Sequence, residues 1–210
     1  MTRSWPRTAV LPVLLTTLLT GACTVSSPPA PAPDTSRGAV EQFRRDREVR
    51  YDLTRPRTAQ ELGVREGSDS AIFDRDDAEY WDVTFALPQD RAFSTSAAIA
   101  VGVFIGDPVV PGGLLNEVGV NAQARDLDDL AGQLTVAAQQ LGLDQAAMDD
   151  FIARERRQPP TTTSPEHHRV FTSPPIGHLT ATAEPRISQG RDYIAINYSF
   201  TWEPGPGAEG

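Results

Sequence analysis

Apolar and polar positions alternate along several stretches of the chain, and each stretch ends at turn residues. Residues 80–87 (YWDVTFAL) alternate and stop at Pro88, a pattern typical of a half-buried strand. Residues 118–124 alternate in the same way. The run 97–106 (AAIAVGVFIG) is continuously apolar and of strand length, and this pattern by itself does not separate a strand from a buried helix. We expect one face of the first strand to be buried: Trp81, Val83, Phe85 and Leu87.

Two successive segments have the period of a helix. Apolar side chains three and four positions apart predict a helix over 127–141, with Asp126 as its N-cap and Gly142 at its C-terminal end. Asp144 then predicts the cap of a second helix that runs to about Arg157. We expect the following side chains to face the core: Leu127, Leu130, Leu134, Ala137, Ala138, Leu141, Ala147, Met148, Phe151 and Ile152.

The last third of the chain predicts a β-hairpin. Residues 178–186 and 193–202 alternate, and residues 188–192 between them have the composition of a turn. We expect residues 170–173 to add a short strand. The inward-facing positions of the second hairpin strand are Ile194, Ile196, Tyr198, Phe200 and Trp202.

The segment before the first strand is charged. Residues 38–52 predict a short helix capped near Ser36 and supported by the pairs Glu41–Arg45 and Arg44–Glu48. Strands, paired helices and a hairpin, in this order, predict an α+β fold in which two packed helices cover one face of an antiparallel sheet.

Composition excludes several classes of function. The 210 residues have a formal net charge of −9, and every one of the 19 basic side chains is arginine. An acidic chain without a basic stripe is not expected to bind nucleic acid, so the two helices do not indicate a DNA reader. The absence of lysine removes mechanisms that need a Schiff-base or Walker lysine.

The N-terminal residues have the composition of an export signal. Residues 1–7 are basic, and residues 8–19 are apolar. This apolar stretch is too short for a membrane-spanning helix, which needs about 20 apolar residues. Small residues follow it and lead directly to Cys23, the single cysteine of the chain.

The sequence LTGAC at residues 19–23 resembles the lipobox of bacterial lipoproteins. The resemblance implies that the thiol of Cys23 receives a diacylglyceryl group and that the signal is cut before it. An ordinary secretory signal is the alternative, because Thr20 and Ala22 also form a small-x-small cleavage site. Each buried methylene contributes about 0.8 kcal/mol, so two acyl chains hold a domain firmly at a bilayer. We therefore predict lipidation at Cys23 and a location on the extracytoplasmic face of the cell membrane.

These features divide the chain into four parts. We predict that residues 1–22 are a cleaved signal peptide and that residues 23–36 contain the lipidated cysteine and a tether rich in Pro, Ala and Ser. Such a tether favours polyproline II, which rises about 3.1 Å per residue. We expect residues 37–204 to form a single globular α+β domain and residues 205–210 to form a flexible tail.

Four motifs with possible chemistry have a simpler interpretation. The acidic run 74–79 lacks the glycine and distal glutamate of an EF-hand loop and is typical of a solvated turn. Glu166, His167 and His168 do not have the His-Glu-x-x-His order, and adjacent strand residues face opposite ways, so we expect no metal site there. His178 is the histidine available for a Ser/His/Asp triad, although no Gly-x-Ser-x-Gly motif is present. Asn197 begins a glycosylation sequon inside a predicted strand.

The segment 103–115 (VFIGDPVVPGGLL) is apolar but interrupted by Gly and Pro. It is typical of a buried connection, and a pocket lip or a partner-docking patch is the alternative. Without a catalytic, cofactor or metal motif, the sequence predicts a membrane-anchored binding or accessory module for a small ligand or an envelope protein. An exported hydrolase and a structural subunit of an envelope complex remain the alternative classes.

Overall fold

A computed structural model describes residues 48–58, 60–64, 70–74, 80–107, 115–158 and 166–203. The predictions made for Cys23, for the segments 1–22 and 24–36 and for the tail 205–210 lie outside these residues. No helix within the described ranges is long and apolar enough to cross a membrane.

The described chain contains nine strands, two α-helices and two short 3₁₀ turns. The helices are α1 (Leu127–Leu141) and α2 (Gln145–Arg157), and the 3₁₀ turns are Gln60–Leu62 and Gln189–Arg191. The strands are β1 (Glu48–Asp52), β2 (Ser70–Asp74), β3 (Trp81–Leu87), β4 (Arg91–Asp107), β5 (Leu115–Ala124), β6 (His167–His168), β7 (Phe171–Thr172), β8 (Thr180–Ile187) and β9 (Ile194–Trp202).

All nine strands belong to one sheet with the order β1-β3-β4-β5-β9-β8-β6. The long strand β4 pairs with β3 through its first half and with β2 through its second half, and β7 pairs with β8. Helix α1 contacts β4, β5, β8 and β9, and α2 packs against α1. The predicted α+β class is confirmed. Residues 97–106, whose pattern fits either a strand or a buried helix, form part of β4.

The sheet is not purely antiparallel, because β1 pairs with β3 in parallel. The helix predicted over 38–52 is wrong for residues 48–52, and residues 38–47 lie outside the described residues. Val49 and Tyr51 are buried while Glu48 and Arg50 stay exposed, so the true period is two and the strand completes the edge of the sheet. The two exposed charges pair with each other on the same side of the strand.

Both helices begin and end where local signals place them. The Asp126 carboxylate accepts hydrogen bonds from the amides of Asp128 and Asp129 at the start of α1. Gly142 closes the helix in the left-handed region, with φ at 73°, a conformation that costs glycine little. The Asp144 carboxylate accepts from the Ala147 amide and caps α2.

The core lies between the helices and the inner face of the sheet and is centred on aromatic rings. The Phe85 and Phe200 centroids are 4.5 Å apart, and the Phe93 and Tyr198 centroids are 4.7 Å apart. The predicted inward positions of β3 and β9 are all buried. Of the predicted helix positions all are buried except Ala147, which is partly buried against the core.

Candidate functional site

A cleft opens where β4 separates from β5 on the helix side of the sheet. Pairing between the two strands extends only to Ala98, opposite Ala122, whereas β4 begins seven residues earlier at Arg91. Helix α1 lies beside the part of β4 that does not pair with β5. The Arg91 guanidinium donates to the backbone oxygen of Gln140 at 2.7 Å, which ties the end of the helix to the start of the strand.

Irregular pairing bends β4 at this position. The register with β3 shifts between Trp81 and Val83, and the register with β5 shifts between Ala98 and Ala100. Such bulges bend a strand and increase its twist, so the first half of β4 turns away from β5. The resulting cleft has a volume of about 590 Å³. It is lined by residues of β4, α1 and β9, by Tyr80 just before β3, and by Gln123 and Arg125 at the end of β5.

The walls of the cleft are largely apolar. The buried rings of Phe93 and Tyr198 form its base. Tyr80 and Val136 also line it and are unusually exposed for large apolar side chains, at 39% and 42%. A Cβ atom added to Gly132 would meet nothing within 4 Å, so this helical glycine faces open space.

Gln133 supplies a buried acceptor at the cleft. Its side-chain nitrogen donates to the backbone oxygen of Gln123 at 3.0 Å, and its side chain also hydrogen-bonds to the Asp129 carboxylate. Both partners are acceptors, which orients the amide with its nitrogen toward them. The Oε1 atom is then buried and finds no hydrogen-bond partner among the described residues.

Arg125 and Asp129 carry the only charges among the described lining residues. The Arg125 Nε atom lies 3.2 Å from Asp129 Oδ2, and the Arg125 backbone amide donates to the same oxygen at 2.9 Å. Burial disfavours the charged form of Asp129, but these bonds and the positive charge of Arg125 outweigh it and lower the pKa of Asp129. The pair therefore keeps Asp129 ionised at the cleft, while the Arg125 side chain is 80% exposed to solvent.

The predicted histidine group lies elsewhere, beside a second cavity of about 630 Å³. His167 Nδ1 is 2.8 Å from Oε2 of Glu155, a carboxylate that is only 5% exposed. His168 Nδ1 is instead 3.0 Å from Glu184 Oε1, on the adjacent strand β8. The two imidazoles have separate partners, and no group of three or more metal-ligating side chains occurs in the described part of the chain.

His178 is separated from this group and lies in the turn before β8. Burial lowers its pKa, and its Nε2 atom has no hydrogen-bond partner among the described residues. The preceding Gly177 has φ at 62°, and a Cβ there would lie 2.7 Å from the Pro88 side chain. Within the described ranges, therefore, the ring has no hydroxyl or carboxylate arranged beside Nε2 as a triad requires.

The other sequence candidates are described in part. Asp74 ends β2, and the rest of the acidic run 74–79 lies outside the described residues. Val103 is buried in β4, while residues 108–114 of the apolar segment 103–115 are likewise outside them. Asn197 is half-buried in β9 and accepts a hydrogen bond from Asn121 on β5, so its sequon lies within a paired strand.

Sequence patterns did not identify the residues of the cleft. Gln123 lies on β5, Gln133 and Val136 lie on α1, and Tyr80 precedes β3. They belong to no motif. One local signal for the cleft is Gly132. This glycine lies inside a regular amphipathic helix, where no turn or positive φ requires it.

No family model matches the chain, and neither a curated protein nor a solved structure matches it significantly.

Proposed function

We propose that this chain is a lipid-anchored lipoprotein of the cell envelope whose folded domain is a binding module, with the cleft between β4 and α1 as its binding site. The cleft is the observation that carries the binding function. Ligand sites are typically concave, of about 300–1,000 Å³, mostly apolar, and supplied with a few fixed polar groups. This cleft has that size and composition.

The residues around the cleft favour binding over catalysis. None of the three histidines is among its described lining residues. The Ser94 hydroxyl at its edge is 3.0 Å from the Thr84 hydroxyl, which is not a general base. A hydrolase would need a base within hydrogen-bond reach of its nucleophile. We therefore place the ligand here without assigning a reaction.

The anchor is inferred from the N-terminal sequence. Cys23 is the only cysteine and directly follows the apolar export signal, and the segment after it has the composition of a tether. Attachment through diacylglyceryl-Cys23 would hold the domain at the extracytoplasmic face of the cell membrane, where it would reach small ligands or envelope proteins.

Metabolic labelling with a palmitate analogue tests the anchor. We expect label on the wild-type chain and on the matched control Thr24→Ala, and none on Cys23→Ala. An unlabelled wild-type chain, or label that survives Cys23→Ala, would contradict lipidation.

Fluorescence titration with the neutral probe N-phenyl-1-naphthylamine tests the cleft. The full chain carrying Cys23→Ser, which cannot be acylated, should bind the probe saturably. Gly132→Phe should weaken binding about tenfold or more because the ring occupies open space in the cleft, whereas Gly132→Ala should leave it unchanged. Absence of saturable binding, or equal affinity in all three proteins, would exclude this site.

A further inference from the structure

We propose that the cavity between α2 and residues 166–171 binds a phosphate group, held by the guanidinium groups of Arg154 and Arg169 and by Nε2 of His167. The cavity has a volume of about 630 Å³ and shares no described lining residue with the cleft beside β4. The inference therefore goes beyond the proposed binding function and does not depend on it.

Arginine side chains line the cavity from two elements. Arg154 lies on α2, three positions after Phe151, so the two residues share one side of the helix. Arg169 lies on the other wall, between β6 and β7, with its Cζ atom 5.1 Å from the centroid of the Phe171 ring. The Phe151 and Phe171 rings pack edge to face, with centroids 6.1 Å apart, and join the two walls. Each wall of the cavity therefore contributes one guanidinium group.

Neither guanidinium group is neutralised by a described carboxylate. The side chains of Arg154 and Arg169 have no ion pair or hydrogen bond with another described residue. The exposed carboxylate of Glu166, which also lines the cavity, lies 3.8 Å from the Arg186 guanidinium. An oxyanion in the cavity therefore meets two positive charges that have no described counter-charge, in a chain whose net charge is −9.

His167 adds a third polar group, which its other ring nitrogen holds in place. Its Nδ1 atom lies 2.8 Å from Oε2 of Glu155, whose side chain is only 6% exposed. The carboxylate accepts a hydrogen bond from Nδ1–H and fixes the orientation of the imidazole. The imidazole is 27% exposed, and Nε2 has no hydrogen-bond partner among the described residues. Nε2 can accept from a P–OH group, or donate to a phosphate oxygen when the ring is protonated.

Arg191 reduces the negative potential that the end of α2 would create. The cavity lies at the C-terminal end of this helix, where carbonyl oxygens carry partial negative charge. The Arg191 guanidinium donates to the backbone oxygens of Glu155 and Gln158, to the latter at 2.6 Å. These oxygens are thereby paired with a positive charge, and they oppose an anionic ligand less.

A phosphate group fits this arrangement better than a carboxylate. An arginine side chain typically donates two parallel hydrogen bonds to one oxyanion. A phosphate group has enough oxygens to accept from both walls and to contact His167, whereas a carboxylate has only two. The cavity also has room for the organic part of a phosphate ester. The ligand class is therefore phosphate or a phosphate monoester.

Isothermal titration calorimetry of the full chain carrying Cys23→Ser tests this inference with inorganic phosphate, glycerol 1-phosphate and acetate, at pH 7 and constant ionic strength. We expect both phosphates to bind saturably, with a Kd of about 1 mM or lower, and acetate to bind at least about fivefold more weakly. Tighter binding of the ester assigns the site to an organic phosphate, and tighter binding of the inorganic ion assigns it to free phosphate. Absence of saturable phosphate binding, or acetate binding of equal strength, overturns the proposal.

Arginine variants locate the phosphate. Arg154→Gln and Arg169→Gln should each weaken phosphate binding about fivefold or more, because each removes charge-assisted hydrogen bonds. Arg157→Gln is the matched control, since it removes an exposed charge from the same helix outside the cavity lining, and it should change the Kd by less than about twofold. Equal losses in the three variants would show attraction by overall charge and would overturn the site.

Two further variants separate the contributions. His167→Asn keeps a donor for Glu155 but removes Nε2, and should weaken phosphate binding about threefold. An unchanged Kd overturns the role of Nε2, and the arginine variants remain decisive if His167→Asn does not fold. Gly132→Phe alters the cleft beside β4 and should leave phosphate binding unchanged, so a failure of one site is distinguishable from a failure of the other.

Discussion

The side-chain nitrogen of Gln133 donates a hydrogen bond to the backbone oxygen of Gln123 at 3.0 Å, and this bond joins the middle of α1 to the end of β5. The helix is thereby held over the sheet at the edge of the cleft. The same side chain keeps its oxygen buried and without a described partner. Gln133 therefore links α1 to β5 through its nitrogen, while its oxygen is an acceptor buried without a described partner.

Gln133→Glu should destabilise the domain at neutral pH. An ionised glutamate cannot donate to the Gln123 oxygen and would lie beside the Asp129 carboxylate. We expect the free energy of unfolding at pH 7, measured with urea, to fall by about 2–3 kcal/mol. The loss should shrink below about pH 4, where a protonated glutamate can donate.

The matched control for this change is Gln139→Glu, at an exposed position of the same helix. Its cost should stay below about 1 kcal/mol, mainly from a negative charge near the C-terminal end of α1. Equal losses for the two variants would show that the contact with Gln123 contributes nothing to stability.

Two glycine-to-alanine substitutions at α1 should change stability in opposite directions. Gly132 lies inside the helix with free space around its Cβ position, so Gly132→Ala should raise the free energy of unfolding by about 0.5–1 kcal/mol. Gly142 has φ at 73°, and a Cβ there would be 3.3 Å from the Arg91 guanidinium, so Gly142→Ala should lower it by about 1 kcal/mol. Urea denaturation measures both, and a shift of the same sign in both would contradict the assigned backbone conformations.

Phe200→Ala should be among the most damaging changes in the domain. The side chain is fully buried, and its ring centroid lies 4.5 Å from that of Phe85 and 5.7 Å from that of Phe93. Truncation leaves a cavity in the centre of the core, so we expect a loss of about 3–5 kcal/mol in the free energy of unfolding. The exposed Val170→Ala is the control and should cost less than about 0.5 kcal/mol. A loss for Phe200→Ala that is no larger than that of the control would place the core elsewhere.

Stability at acidic pH should reflect Glu61. A hydrogen bond from the Arg55 side chain, aided by one from the Thr58 backbone, lowers the pKa of this carboxyl from 4.5 to about 2. Because the folded pKa is the lower one, the stabilisation is present above about pH 4.5 and is lost as the pH falls toward 2.

Glu61→Gln should therefore lower the free energy of unfolding at pH 7 by at most about 1 kcal/mol, since the pair lies near the surface. The difference from the wild type should vanish near pH 2. Thermal unfolding of both proteins from pH 7 to pH 2 measures this, with Glu203→Gln at an exposed position as the control. A difference that stays constant across the range would rule out the pairing with Arg55.

The helices and the hairpin could be predicted because their signals are local. Asp126 and Gly142 mark the ends of α1 through hydrogen bonds and backbone angles set within a few residues. Strand β1 could not be predicted, since its charged residues also fit a helix and only pairing with β3 makes it extended. Strand β2 was not predicted either, and it exists through its pairing with the second half of β4.

The candidate site shows the same difference between local sequence signals and contacts between distant segments. The sequence motifs involved His167, His168 and His178. The structure places the first two beside different carboxylates and the third in the turn before β8, where its Nε2 atom has no partner among the described residues. The cleft instead depends on where β4 bends away from β5. That bend comes from register shifts between strands, which no single segment encodes.

By itself, the sequence determined the elements with short-range signals: two capped helices, alternating strands, and an N-terminal segment with the pattern of an export and lipidation signal. Tertiary structure alone decided the parallel pairing of β1, the bend of β4 and the meeting of Tyr80, Gln133 and Val136 at one cleft. The physical reason is the separation along the chain over which each kind of interaction acts. Caps and periodicity act over one or two turns of chain, whereas strand register and cavities arise from contacts between residues many positions apart.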